Sequence, residues 1–299
     1  MRYYVPSDTA RVLATHEKEC YNLRLLLSRY LSEETVSNPN VEGEKNQKWR
    51  DKWLKETLSR FDKSDAKLLK PLIEAEVARW AAMTDGAEQF ELMNATRLIV
   101  GLGGKGALEF GITLSHVTGL PFIPASALKG AARAYGFYRL AEHFRIPPEA
   151  KDLEKFEGEL FDNKLREQYR SNPEVDLFCK AFGSQSEAGW CRFFDGVLSG
   201  WHSQRLFTLD VMTPHFPEYY RGEGKSAPHD SDNPNPVSFV TVTERNLWAF
   251  AVGLRVGVMG EERAQEVQKY ARKCLRSALE DMGIGSKTSS GYGYFVKQQ

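Results

Sequence analysis

No apolar stretch of this chain approaches the roughly 20 residues that a helical membrane span needs, so a helical membrane protein is not expected. The start, Met1-Arg2-Tyr3-Tyr4-Val5-Pro6-Ser7-Asp8, lacks the apolar core of a secretory signal. Cysteine is scarce: Cys20, Cys179, Cys191 and Cys274 are scattered without paired spacing. That pattern supports neither a disulfide framework nor a close-spaced zinc site, and reduced packing residues in a cytoplasmic protein are the expectation. Surplus charge is absent too, since 40 Lys and Arg balance 40 Asp and Glu. Neutrality excludes a protein that coats nucleic acid by bulk charge, but not one with a local basic groove.

What the chain does have is an ordinary globular composition, 41% apolar and 27% charged over 299 residues, enough for one large or two modest domains. Its charge is uneven. Lys105, Lys129, Arg133, Arg139 and Arg145 face only Glu109 and Glu142 between residues 105 and 145, whereas Lys151 to Asp176 leans acidic. A phosphate-bearing partner should prefer the first stretch.

The N-terminal third, residues 1–95, is expected to be a helical extension. Ser7 or Asp8 caps a helix running to about Leu31, and two more helices follow near Lys48–Arg60 and Ser64–Met83. Residues 32–47 are a polar loop around Asn38-Pro39-Asn40 and Gly43. From Thr96 the pattern turns to strands: Leu98–Val100, then Phe110–Val117, separated by the glycine-rich Gly101-Leu102-Gly103-Gly104-Lys105-Gly106. Ser126 is expected to cap a helix through about Phe144. A helical insert (147–182) leads to strands at Trp190–Val197, Leu206–Val211, Val237–Thr243 and Trp248–Val256. A helix from Glu262 to about Met282 and a final strand close the chain. Thr213 to Pro236 holds five prolines and is long for a structureless loop, hence functional or mobile. Residues 96–299 thus contain β-α-β-β-α-β with insertions, an α+β ferredoxin-like (RRM-like) domain. Such a domain offers an antiparallel sheet with helices on one face, an arrangement that RNA-recognition modules use.

The densest motif is near the end: Gly283-Ile284-Gly285-Ser286-Lys287-Thr288-Ser289-Ser290-Gly291-Tyr292-Gly293. Glycines let the backbone turn and approach closely, exposed N–H groups make a concave anion site, and Lys287 with the hydroxyls adds a charge and donors. In Ser126-Ala127-Leu128-Lys129, a helix start offers N–H groups to a phosphate, and Lys129 and Arg133 share a face. Set against the glycine loop, this helix would complete a phosphate-tracking groove, with Tyr292 able to stack on a base.

Three stretches together resemble the RAMP superfamily of CRISPR-associated proteins. The terminal loop is similar to its G-h-G-x5-G-x-G pattern at Gly283, Gly285, Gly291 and Gly293. The run from Phe122 to Arg133 resembles its I-P-G-S-S-L-K-G-x-x-R segment, with Ala125 where glycine is usual, and Leu102 to Leu114 resembles a subgroup's strand entry. Leu209–Tyr220 and Asn235–Phe239 narrow the resemblance to the sixth-subunit branch, in the type III-B (Cmr) effector complex. The resemblance implies a non-catalytic subunit at the end of the complex's backbone that holds the 3′ part of the guide (crRNA) and the guide–target duplex. Its implied partners are guide and target RNA, other Cmr RAMP subunits and the small helical subunit. RNA contacts are then expected from Lys105, Ser126, Lys129, Arg133, Gly283, Gly285, Ser286, Lys287, Thr288, Ser289, Gly291 and Tyr292, mainly to phosphates. Recognition should be largely sequence-independent and salt-sensitive. No cofactor and no metal are expected.

Other chemistries fit less well. A P-loop needs glycine directly before Lys-[Ser/Thr], and Ser286 intervenes before Lys287. Ser126-x-x-Lys129, Ser231-Asp232-Asn233 and Lys287-Thr288-Ser289 mimic the order of a penicillin-binding enzyme, but the third motif lacks its glycine. Cys179, Cys191, His202 and His215 are too widely spaced for paired zinc ligands. Asp195, in Phe194-Asp195-Gly196, is a turn residue by composition. The alternative function is a metal-independent RAMP endoribonuclease with a histidine general acid–base, drawn from His116, His202, His215 and His229, with His116 nearest the basic stretch.

Overall fold

A computed structural model describes the chain apart from residues 1–4, 32–43, 63–66, 104–107, 109–110, 162–168, 170, 214–235, 259, 261 and 299. In chain order the helices α1 (Ser7–His16), α2 (Leu23–Ser28), α3 (Glu44–Ser59) and α4 (Leu69–Met83) precede strands β1 (Glu88–Asn94) and β2 (Phe122–Ile123). Helices α5 (Ala125–His143), α6 (Ala150–Phe161) and α7 (Pro173–Phe182) come next. Strands β3 (Cys191–Phe193), β4 (Gly196–Gly200), β5 (Phe207–Met212), β6 (Val237–Val242) and β7 (Leu247–Leu254) lead to α8 (Ala264–Asp281) and β8 (Phe295–Val296). By internal contacts the chain forms two units: Met1–Leu69, Gly101–Leu120 and Gln204–Thr243, and Lys70–Val100, Pro121–Ser203 and Glu244–Gln299.

The second unit carries the ferredoxin-like core. Its sheet runs β2-β4-β7-β1-β8, with β3 also on β7, and every named pair is antiparallel. Stripped of the short β2 and β3, the order β4-β7-β1-β8 is that of the β-α-β-β-α-β unit, so the α+β ferredoxin-like expectation holds. The first strand is not where the sequence placed it. Leu98–Val100 forms no strand beyond a single bridge at Leu98; residues near the chain end bond to it and beside it, Ser286 to Ile99 O at 2.8 Å and Gly293 to Arg97 O at 2.8 Å. The strand role falls to β1, where Phe90 and Leu92 are buried between exposed Gln89 and Glu91. Phe110 lies outside the described residues. The rest of the second expected strand is closed instead by bonds between Ser115 and Leu120 and between Gly119 and Ser115.

Strand β7 is buried along nearly its whole length because both of its faces are covered. On one face lie α5 and α8. Alternation along β7 puts Trp248, Phe250 and Val252 there, stacked at 5.4 Å between the Phe90 and Phe250 rings. Helix α8 buries Val267, Ala271, Cys274, Leu275, Ala278 and Leu279 at helical spacing. It meets α5 at Gly136, where a side chain would stand 3.3 Å from Cys274 Sγ and 3.1 Å from the Phe178 ring. Helix α7 is well punctuated: Asn172 accepts from the N–H groups of Glu174 and Val175, Pro173 opens the first turn, and Gly183 ends it at φ 88°. The opposite face is not bare. Trp80 of α4 packs there on Val197, Ala249 and Ala251, which covers part of the surface that an RNA-recognition sheet leaves open.

In the first unit the expected helix to Leu31 is two helices. Asn22 breaks it by capping α2, accepting Leu25 N–H at 3.1 Å, while its amide donates to the carbonyls of His116 and Val117. Neither Ser7 nor Asp8 caps α1, whose N-cap is Pro6. Strands β5 and β6, both near their expected positions, pair with each other from Phe207↔Val242 to Met212↔Val237 in a two-stranded sheet of their own. Phe207 meets the Phe61 ring edge-on at 5.4 Å. The proline-rich stretch between these strands lies outside the described residues from 214 to 235.

Candidate nucleic-acid interface

The terminal loop is built by four left-handed glycines: Gly283, Gly285, Gly291 and Gly293 all have φ between 71° and 96°. Two of them tolerate nothing larger for a second reason. A Cβ on Gly285 would run into Ile99 O, and one on Gly293 into Ile284 O. Gly283 donates to Ala278 O at 3.0 Å and ends α8; Ile284 donates to Gly293 O at 2.9 Å and closes the loop on itself. Tyr294 N–H donates to Thr96 Oγ1 at 3.1 Å. Much of the loop's donor capacity therefore holds it against residues 96–99, and is not free to cradle an anion as a continuous run.

The exception is the tip. Thr288–Ser290 forms a single 3-10 turn between Lys287 (φ 63°) and Gly291 (φ 87°). Ser290, Gly291 and Tyr292 point their N–H groups back into the turn, onto Lys287 O, Thr288 O and Lys287 O. The N–H groups of Thr288 and Ser289 meet no acceptor among the described residues. Ser289 is exposed, and Ser286, Lys287, Thr288 and Tyr292 are half-buried. Charge, hydroxyls and two outward donors thus coincide at Lys287–Ser289, which suits a phosphate oxygen.

Helix α5 is arranged differently from the sequence expectation. Ser126 is exposed in its first turn and does not cap it; the N-cap is Pro124. The cap comes from 70 residues away, where Asp195 Oδ1 accepts Ala125 N–H at 2.6 Å. A carboxylate already occupies the helix end where a phosphate was expected. Lys129 is half-buried, close enough to β3 for its charge to favour the Cys191 thiolate. Arg133 is engaged in packing: its Nη1 meets Glu157 Oε1 at 2.7 Å and its guanidinium lies 5.7 Å from the Phe161 ring centre. Lys105 lies outside the described residues.

The two groups are anchored at different places on the sheet. The start of α5 is tied through Asp195 to the region where Phe194 donates to Ala251 O, toward the Leu254 end of β7. The glycine loop is tied to residues 96–99, beyond Asn94, which pairs with Phe295 and donates to Asn246 O at the other end. Asn246 and Ala251 alone are about 17 Å apart at ~3.3 Å per strand residue. The loop and the start of α5 are thus held from separate anchors on the sheet.

Two arginines that the sequence did not single out lie along the segment that anchors the loop. Arg97 supplies the carbonyl that receives Gly293, and its Nε lies 3.9 Å from Glu244 Oε2. Arg245, next to it, bonds its N–H to Asn94 O at 2.7 Å. No spacing marks either arginine, because each is placed by a backbone bond to a residue far along the chain. Of the candidate histidines, His116 and His202 are exposed, while His215 and His229 lie outside the described residues. Cys179 and Cys191 sit against the carbonyls of Leu160 and Val267 at 3.8 and 3.7 Å. Among the described residues no three His, Cys, Asp or Glu side chains converge as metal ligands would, and no helix is long and apolar enough to cross a membrane.

Residues 92–296 match the model of the RAMP superfamily. Over 230 residues the chain is 30% identical to the CRISPR system Cmr subunit Cmr6 of Pyrococcus furiosus, which covers 68% of this chain and 65% of that protein, just under two thirds of the relative's length. Over 281 residues it is 25% identical to the CRISPR system CMR subunit Cmr6 of Saccharolobus solfataricus, covering 93% of this chain and 73% of that one. A chain in the cryo-EM structure of the type III-B Cmr-beta complex bound to cognate target RNA has the same fold, with a TM-score of 0.54 at 19% identity over 98% of this chain and 86% of that chain.

Proposed function

Since the chain belongs to the RAMP superfamily, we propose that it is a non-catalytic RNA-binding subunit of a type III-B (Cmr) RNA-guided effector complex, a sixth subunit by its similarity to Cmr6. Its role is to hold the 3′ part of the guide and the guide–target duplex at the end of the backbone. The observation that carries this reading is the Lys287–Ser289 tip, where a cation, hydroxyls and two outward N–H groups sit on a loop fixed by four left-handed glycines. Such a tip contacts phosphate without reading bases. Ser126 and Lys129 are a second proposed contact. The N-terminal helices and the Thr213–Pro236 loop are proposed contacts to other Cmr RAMP subunits and the small helical subunit. The ribonuclease alternative is less favoured, because no side chain hydrogen-bonds the exposed His116 ring among the described residues.

Fluorescence anisotropy of the full-length chain with a fluorescein-labelled single-stranded RNA tests the reading. Lys287→Ala should weaken binding several-fold and reduce the slope of log K against log salt by about 0.7, the value of one lost single-strand phosphate contact. Unchanged affinity and slope would remove the loop from the RNA site. RNA cleaved by the parent chain but not by His116→Ala would instead establish the nuclease.

A further inference from the structure

Three residues in the described structure other than glycine have a left-handed backbone, and all three are basic: Arg145, Arg245 and Lys287. Lys287 belongs to the loop already described. Arg245 has φ 66° in Thr243-Glu244-Arg245-Asn246, a position where glycine or asparagine is the unstrained choice. Strain of this kind persists where surrounding structure enforces it, and it is enforced here. Arg245 N–H donates to Asn94 O, and the next residue, Asn246, is fully buried with its N–H on Asn94 Oδ1 at 2.9 Å.

The Arg245 side chain is exposed and makes no ion pair, hydrogen bond or ring contact among the described residues. Its acidic neighbour is directed elsewhere, since Glu244 faces Arg97 at 3.9 Å. Backbone bonds connect this turn to the glycine loop in two steps, from Arg245 to Asn94 and from Arg97 to Gly293. The end of the sheet that holds the loop thus also presents an arginine with no carboxylate on it. A guanidinium so placed suits a phosphodiester, to which it can offer two parallel donors.

We propose that Arg245 is a phosphate-contacting residue of the RNA site, extending the Lys287–Ser289 contact along the strand by one further phosphate. The proposal rests on the reading of the loop as an RNA site. Arg245→Gly is the informative variant, because glycine is at ease at φ 66° and the fold is kept.

Anisotropy with the same labelled RNA is measured for the parent chain, Arg245→Gly, Lys287→Ala and Lys269→Ala. Lys269 is an exposed cation near the start of α8, at the other end of that helix from the loop. Arg245→Gly should bind about 3- to 10-fold more weakly, with a salt slope lower by about 0.7, an unchanged or higher Tm, and Lys269→Ala should match the parent. Loss in Lys287→Ala with parental binding by Arg245→Gly overturns this proposal and leaves the loop reading standing. Parental binding by both variants, or no binding by the parent, overturns the loop reading as well. An equal loss in Lys269→Ala marks a general charge effect and overturns the assignment of Arg245.

Discussion

Asp195 joins both faces of the sheet: its Oδ1 accepts Ala125 N–H at 2.6 Å at the start of α5, and its carbonyl accepts Trp80 Nε1–H at 2.9 Å from α4. The same residue splits the expected strand Trp190–Val197 into β3 and β4, because its side chain is turned to the helix and its carbonyl to the tryptophan.

Asp195→Ala removes only the side-chain half of this junction. The expected result is a loss of about 1 kcal/mol in unfolding free energy, the usual effect of deleting a helix N-cap acceptor, with Asp195→Asn close to the parent. Urea titration at constant m-value reads it directly. An unchanged midpoint for Asp195→Ala would mean that the contact does not anchor α5, and the N-terminus would return as a candidate anion site.

The loop glycines should not be equivalent. Alanine at Gly285 or Gly293 must adopt a left-handed backbone and displace a carbonyl, Ile99 O or Ile284 O. Left-handed strain and overpacking together predict a loss of about 3 kcal/mol. Alanine at Gly291 meets nothing within 4 Å and carries only the backbone term, about 1 kcal/mol. Thermal unfolding of the three variants distinguishes them, and equal losses would refute the steric explanation.

The residues that made the fold legible were those with strong local signals. The period-two run that became β7, the amphipathic stretch that became α8 and the four glycines all carry their structure in their own spacing. The first strand did not: Leu98–Val100 is as apolar as a strand, but the carbonyls of Ile99 and the preceding Arg97 are taken by Ser286 and Gly293, almost 200 residues later. Lys129 and Arg133 are on one helix face, as spacing requires, yet spacing says nothing of Glu157 and Phe161 waiting for Arg133. The direction of α5 decided the rest. Its start is set by the path through β2 along β4, a tertiary relation that no local pattern encodes.

The buried thiols should make the fold sensitive to alkali. Burial, partly offset by the Lys129 charge, pushes the Cys191 thiol up from 9.0 to about 12, and burial raises Cys274 to about 12 as well. Folded, both keep their protons to about pH 12; unfolded, they release them near 9. The folded state then binds more protons than the unfolded one, so stability falls as pH rises between those values, by about 1.4 kcal/mol per pH unit per thiol at most. Below pH 8 the two states are protonated alike and the effect vanishes. Urea unfolding at pH 8, 9.5 and 10.5 should show this decline, and Cys191→Ala/Cys274→Ala should flatten it. The flattening is incomplete, because burial raises the Tyr270 phenol too. Equal slopes for the parent and the double variant would place the alkaline loss elsewhere, and rapid alkylation of either thiol in the native protein at pH 8 would show that the two sites are open to solvent.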